Sequence, residues 1–198
     1  MKTILRLSIV LISLQLVYVG SICALEIKNE NKYLIDARGD DGDIYLNRLS
    51  LHKKLDRHEI ELSFFGEAQW NFEISEWEKL TLGLETGKFF REYLYVGQSV
   101  QFISGEILDY MAFDANSNSI DTTTKIRLLL PLAEHFSLRL FEEYALNLEK
   151  GRDESNEIGT EVIYSPKDSY SVGIGWHHID RIHNFDTDYV SLSLTLNF

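Results

Sequence analysis

The sequence predicts an all-β protein: an antiparallel transmembrane β-barrel of about ten strands, with eight or twelve compatible with the same spacing. Three observations predict it. The last residues alternate, with Val190, Leu192, Leu194, Leu196 and Phe198 apolar and Ser191, Ser193, Thr195 and Asn197 polar between them. Successive side chains on a strand point to opposite faces, so this segment has one greasy and one polar face. Segments of the same period recur down the chain between turn-forming residues. Finally, the mean hydropathy of −0.15 is that of a soluble protein. That is the value expected when only alternate residues of each strand meet lipid.

The two ends of the chain agree. Lys2 and Arg6 precede an apolar run from Leu7 to Ile22, followed by the small residues Ser21, Cys23 and Ala24. This is the layout of a secretory signal peptide over residues 1–24, and the run is short for a membrane-spanning helix. Cys23 is the only cysteine. Cleavage after Cys23 or Ala24 leaves a secreted chain without disulfides, which a closed hydrogen-bonded barrel does not need. At the other end, Tyr189, Val190, Leu192, Leu194, Leu196 and Phe198 form a pattern that resembles the C-terminal assembly signal of bacterial outer-membrane β-barrels. The resemblance implies an outer-membrane location, surrounding lipid, and the barrel assembly machinery as a partner during biogenesis.

Strand by strand, the alternation is clearest at 59–72. There Ile60, Leu62, Phe64, Ala68, Trp70 and Phe72 oppose Glu59, Glu61, Ser63, Glu67, Gln69 and Asn71. In 77–86, Leu80, Leu82 and Leu84 oppose Lys79, Thr81 and Glu85. In 123–130, Ile126, Leu128 and Leu130 oppose Lys125 and Arg127. In 157–165, Ile158, Thr160, Val162 and Tyr164 oppose Glu157, Gly159 and Glu161. In 169–178, Tyr170, Val172, Ile174 and Trp176 oppose Ser171, Gly173, Gly175 and His177. Segments 43–54, 92–104, 106–114, 136–148 and 188–198 complete the ten. Residues 25–42 are mostly polar and read as a periplasmic lead-in to a barrel over 43–198, with a short strand or partial plug as the alternative.

The connections predict sidedness. Counting back from the end, 179–187, 149–155, 116–122 and 85–92 are the longer, outer loops. Ser165 to Asp168, Pro131 to Glu134, Ser104 to Glu106 and Ile74 to Glu76 are the short turns. Leu55 to Arg57 is too short for its expected outer position. On this register Trp70, Trp77, Tyr164, Tyr170 and Phe198 form a periplasmic aromatic belt, and Trp176 and Tyr189 an outer one. Glu142 and Glu143 are adjacent, so one must face lipid unless a bulge intervenes; a bulge or shifted register is expected there.

The interior is where function would reside. It receives a charge network of Glu61, Glu67, Arg127, Arg139, Glu143, Glu157 and Glu161. A barrel this narrow can be filled by side chains, and buried carboxylates then need cations. The chain holds 19 basic and 31 acidic residues, net −12, which argues against nucleic acid as a partner. Its expected role is structural, or passage or binding of small solutes, as a monomer, with no catalytic residue, cofactor or metal. A soluble periplasmic lipocalin-like barrel around an apolar ligand is the alternative. It would point Val172, Leu192, Leu194 and Leu196 inward and the glutamates outward. A lipid-modifying hydrolase is the third class, and it requires Ser191 or Ser171 within hydrogen-bond reach of His177. A His- and Asp-rich loop (His177, His178, Asp180, His183, Asp186, Asp188) is more simply solvated than metal-binding.

A second likeness rests on Arg139 to Tyr144 (RLFEEY), Ser155 to Tyr164 (SNEIGTEVIY) and Val172 to Trp176 (VGIGW). An inward glutamate, then an asparagine opening the next strand, then a glycine-aromatic strand resembles domain-of-unknown-function family 2490. That resemblance implies a short outer-membrane barrel without assigned activity. The family's Glu-x-Arg strand pattern is absent: Glu67 is followed by Ala68 and Gln69.

Overall fold

The structure is a computed structural model that describes residues 25–39, 42–55, 60–73, 76–105, 118–182 and 186–198. The predicted leader over 1–24, the predicted strand at 106–114, Glu59 and His183 lie outside the described residues. Ten strands follow one another: β1 (Glu26–Asp36), β2 (Ile44–Leu55), β3 (Ile60–Asn71), β4 (Glu76–Phe90), β5 (Leu94–Gly105), β6 (Ser119–Ala133), β7 (Phe136–Asn147), β8 (Arg152–Lys167), β9 (Tyr170–Asp180) and β10 (Thr187–Asn197). Each pairs antiparallel with its neighbours in sequence, and β1 pairs with β10 to close the barrel. The closing ladder runs from Lys28↔Asn197 to Asp36↔Tyr189. Two further bonds lengthen it, Phe198 N–H to Ile27 C=O at 2.8 Å and Ile27 N–H to Phe198 C=O at 3.3 Å.

The expected strand count is met by a different set of strands. Residues 26–36, expected within the lead-in, form β1 and close the barrel. β5 pairs directly with β6, from Leu94↔Leu128 to Ile103↔Ser119, so the ladder closes without residues 106–114. This exchange turns the first strands over. Residues 85–90, expected in an outer loop, continue β4, and Arg91–Tyr93 turn at the end of the barrel where β1 begins and β10 finishes. Leu55, the last residue of β2, and Ile60, the first of β3, lie at that same end, where a short connection is expected. Trp70 and Trp77 pair with each other at the opposite end, not beside Tyr164, Tyr170 and Phe198.

The two faces of the wall differ in kind. Leu62, Leu82, Leu84, Ile174 and Leu192 point outward, with Leu84 65% exposed, whereas Phe65 and Glu161, 1% exposed, and Lys125, 2% exposed, point inward. Tyr189, expected in the outer belt, has the parity of Ser191 and Ser193 and is completely buried in the interior. No bulge separates Glu142 from Glu143. They pair in unbroken register with Ile126 and Lys125 on one side and with Ile158 and Glu157 on the other. The nearest register shift on β7 falls at Ala145/Leu146. Glu143 therefore faces the interior and Glu142 faces outward. The ion pairs that Glu143 makes inside would be lost by a bulge between the two.

Inward aromatics lie over glycines of adjoining positions. The Phe65 ring covers Gly83, and Tyr95 lies between Gly87 and Gly97. A Cβ at Gly97 would lie 2.7 Å from Tyr95 Cε1. We expect Gly97→Val to displace Tyr95 and destabilise the barrel by about 1–3 kcal/mol, an overpacking cost measurable as a lower urea midpoint. An unchanged midpoint would show that the ring moves freely.

Candidate functional site: the charged lumen

Two ion networks fill the middle of the barrel. In the first, Glu85 on β4 accepts from Lys125 Nζ of β6 at 2.9 Å, Arg48 Nη2 of β2 at 3.1 Å and the Tyr95 hydroxyl of β5 at 2.8 Å. Lys125 lies 3.5 Å from Glu143, whose other oxygen takes Arg127 at 2.7 Å. Arg48 lies 3.8 Å from Glu67, and its guanidinium sits 3.7 Å from the Phe65 ring centroid. Each carboxylate of this network thus meets a cation, as a low-dielectric interior requires.

The second network crosses the lumen. Arg139 on β7 pairs with Glu161 on β8, which also accepts from the Ser193 hydroxyl of β10. The same guanidinium lies 4.0 Å from Glu30 of β1, and Glu30 lies 3.8 Å from Lys32. β1 and β7 are not neighbours in the wall, so the approach of Arg139 to Glu30 is a bar across the interior. Towards the end away from Phe198, Leu34, Ile44 and Tyr189 pack together with Leu46 and Ile179, an apolar filling beside the charged middle.

The structure divides the predicted lumen residues. Glu67, Arg127 and Glu143 join the first network, and Arg139 and Glu161 the second. Glu61 and Glu157 instead each hold a histidine. Glu30 and Lys32 were out of reach of the sequence because β1 was. Phe65 and Tyr95 break or blur the alternation, and the signal for them is the glycine each one covers.

The histidines sit in two similar relays. Glu157 Oε1 is 2.6 Å from His177 Nδ1, and His177 Nε2 is 3.0 Å from Ser191 Oγ. Glu61 Oε1 is 2.5 Å from His52 Nδ1, and His52 Nε2 is 2.7 Å from Ser50 Oγ. This is the order of acid, base and nucleophile in serine hydrolases, and it supplies the Ser191–His177 contact that the hydrolase alternative requires. The surroundings withhold the rest. His177 and Ser191 are both completely buried, with the Phe141 ring 5.0 Å from the imidazole. Both face the lumen. Ser50 is 4% exposed and also lies 3.4 Å from the Lys28 carbonyl oxygen. The relays satisfy buried polar groups, which is the requirement every such group carries.

At the end away from Phe198, His178 Nδ1 is 3.0 Å from Asp188, which also pairs with Arg38. Trp176 stacks on His178 at 6.0 Å. Among the described residues no three His, Cys, Asp or Glu side chains gather as metal ligands.

Fold and lumen together define a class: a closed up-and-down antiparallel barrel with its charges inside and its apolar residues outside. Among solved structures it is similar to the NanC porin, with a TM-score of 0.46 at 8% identity, covering 87% of this chain and 98% of that one. It is likewise similar to the KdgM porin in complex with disordered oligogalacturonate, with a TM-score of 0.46 at 10% identity over 87% of this chain and 99% of that one. A third is the outer membrane channel DcaP of Acinetobacter baumannii, with a TM-score of 0.40 at 9% identity over 85% and 62%. No family model matches the chain, so the likeness to family 2490 stands on the quoted segments alone. No curated protein matches it either.

Two outcomes are expected of the lumen. Lys125→Met leaves Glu85 and Glu143 short of a cation, and we expect about 3–5 kcal/mol lower unfolding free energy in urea. Adding Glu85→Gln should restore part of the loss; no restoration would mean that Lys125 acts through packing. A fluorophosphonate probe should leave both Ser191 and Ser50 unlabelled on intact folded protein. Labelling of either serine by mass spectrometry would instead make its relay an active nucleophile.

Proposed function

We propose that this chain is an outer-membrane β-barrel of a Gram-negative-type bacterium, with a structural role or one in passage or binding of small solutes, and without catalysis. One observation carries this: the two faces are inverted relative to a soluble barrel. Val172, Leu192 and Leu194 are about two-fifths to one-half exposed on the outside, while Glu161, Glu85 and Lys125 are buried inside. A lipocalin-like barrel needs the reverse. The strands, from 11 to 16 residues long, also suffice to cross a hydrocarbon layer, which needs about 9–11 tilted residues.

On this reading, residues 1–24 are a cleaved leader, and the pattern ending at Phe198 is what the assembly machinery reads. The end carrying Phe198 faces the periplasm. The bar between Arg139 and Glu30 and the apolar filling around Tyr189 narrow the lumen. Passage is then limited to water, small ions and solutes that can exchange partners with the paired charges.

The test is fractionation of expressing cells, followed by a denaturing gel of the outer-membrane fraction with and without boiling. A band there that migrates differently when unheated is expected. A soluble periplasmic band without a heat shift would sink the proposal. Deleting Phe198 should abolish membrane assembly. In planar bilayers the purified protein should give small conductance, raised by Arg139→Ala; equal conductance would mean that this arginine does not obstruct the path.

A further inference from the structure

The outward face of β1 and β2 is polar where a lipid-facing wall should be apolar. Asn29, Asn31 and Asn47 share the parity of Ile35 and Tyr33, which point outward, and Asn31 lies directly opposite Asn47. Asn31 is at the middle of β1, so the group lies near mid-depth of the wall. Its members bond to one another: Asn31 Nδ2 donates to Asn29 Oδ1 at 2.7 Å. Asn31 Oδ1 accepts from Asn47 Nδ2 at 2.9 Å and from the Tyr45 hydroxyl at 2.6 Å. These bonds leave both N–H groups of Asn29 and the carbonyl oxygen of Asn47 unspent. In hydrocarbon, where no water is present, such groups need a partner. Beside Asn47 the wall is also flat, because its neighbour across β3 is Ala68 and the next outward residue is Gly66. A Cβ at Gly66 would meet only Leu82 Cδ2, at 3.5 Å.

We infer that this β1–β2 wall is where a second copy of the chain docks inside the membrane, forming a two-fold dimer; the inference rests on the membrane placement proposed above. Three features select the occupant. At mid-depth the partner must itself be a membrane protein. The patch offers unspent donors and an unspent acceptor side by side, so its own copy turned by a two-fold axis matches donor to acceptor. Small residues let two walls approach closely, as they do between membrane helices. Two other polar groups interrupt the apolar face among the described residues: Gln98 of β5 donates to Thr122 and accepts from Thr124 of β6, so both ends of its amide are engaged on its own wall, and Glu142 with Asn156 at 3.5 Å lacks this property. Two copies of that wall would bring carboxylates together, and pairing it with the asparagine wall would give an open chain rather than a closed dimer.

The experiment uses the full chain in outer membranes, in a Cys23→Ser background. Gly66→Cys reports on the proposed interface and Ile158→Cys on the wall beside Glu142, each treated with a short bis-maleimide. Gly66→Cys should give a cross-linked dimer and Ile158→Cys should remain monomeric. Adding Asn31→Leu and Asn47→Leu should lower the cross-linked fraction about tenfold, the scale of one or two polar contacts between membrane segments. Adding Ala68→Trp, which touches none of the hydrogen bonds, should block it as well. A barrel that shifts on heating but gives no Gly66→Cys cross-link, or an equal one from Ile158→Cys, would overturn the dimer alone. A parent chain with no heat shift would overturn the membrane placement and the dimer with it.

Discussion

A backbone N–H or C=O removed from water needs a partner on a neighbouring strand, and the pairing of β1 with β10 supplies one along the seam where the sheet would otherwise end. Without this ladder, two edges of unpaired N–H and C=O groups would remain. The ladder runs the length of β1 and extends to the mutual bonds of Ile27 and Phe198. Closure fixes the tilt and register of every other strand, since a closed sheet cannot slip one pair without slipping all. The regular alternation of faces then follows. The side-chain chemistry of the interior is built on positions that closure has already assigned.

The interior solves a second problem by the same economy of pairing. A ten-stranded barrel is too narrow to leave charged side chains well hydrated and too polar inside to be packed with hydrocarbon alone. Its charges are therefore arranged against one another. Glu85 draws on three strands besides its own, and Arg139 joins β7 to β8 and to β1 across the lumen. Removing one ion leaves its partners uncompensated at low dielectric, which costs more than the pair contributes in isolation. The histidine relays belong to this logic. An imidazole between a carboxylate and a hydroxyl uses both ring nitrogens, and with no water reaching His177 the three groups complete one another.

How much of this was legible depended on one face at a time. Where outward residues are apolar and inward ones are charged, polar or glycine, as in β3, β4, β8 and β9, period two sufficed for both the strand and its facing. β1 was illegible for a physical reason: Lys28, Glu30 and Lys32 face in while Asn29 and Asn31 face out, so no period-two contrast exists. Missing it moved the numbering of the first strands by one and reversed their assigned ends, which misplaced Trp70 and Trp77. The lumen site was legible as a set of charges but not as pairs. Glu61 and Glu157 look like Glu143 in sequence, and only the folded sheet shows that a histidine on the neighbouring strand lies diagonally from each, two residues from the direct partner. Tyr189 was placed by residue type, whereas its parity with Ser191 already aimed it inward. The adjacent Glu142 and Glu143 were expected to force a bulge; the ion pairs of Glu143 hold the register instead and leave Glu142 outside.

The feature that hid β1 from the sequence is also what sets its outer wall apart. The other strands turn apolar residues outward, and β1 places asparagines there over its central residues. It must nonetheless be firmly held, because it closes the barrel. Part of the compensation is internal: Asn31 ties Asn29, Asn47 and Tyr45 into one cluster that braces β1 against β2 from outside. Bracing alone accounts for the acceptor of Asn31, which is fully used, but not for the amide groups that Asn29 and Asn47 turn outward. On the proposed membrane placement, leucines opposite β10 would hold the same seam through lipid contact, as Leu192 and Leu194 would on the next strand. Asparagines at these positions would instead favour a hydrogen-bonding protein surface over lipid.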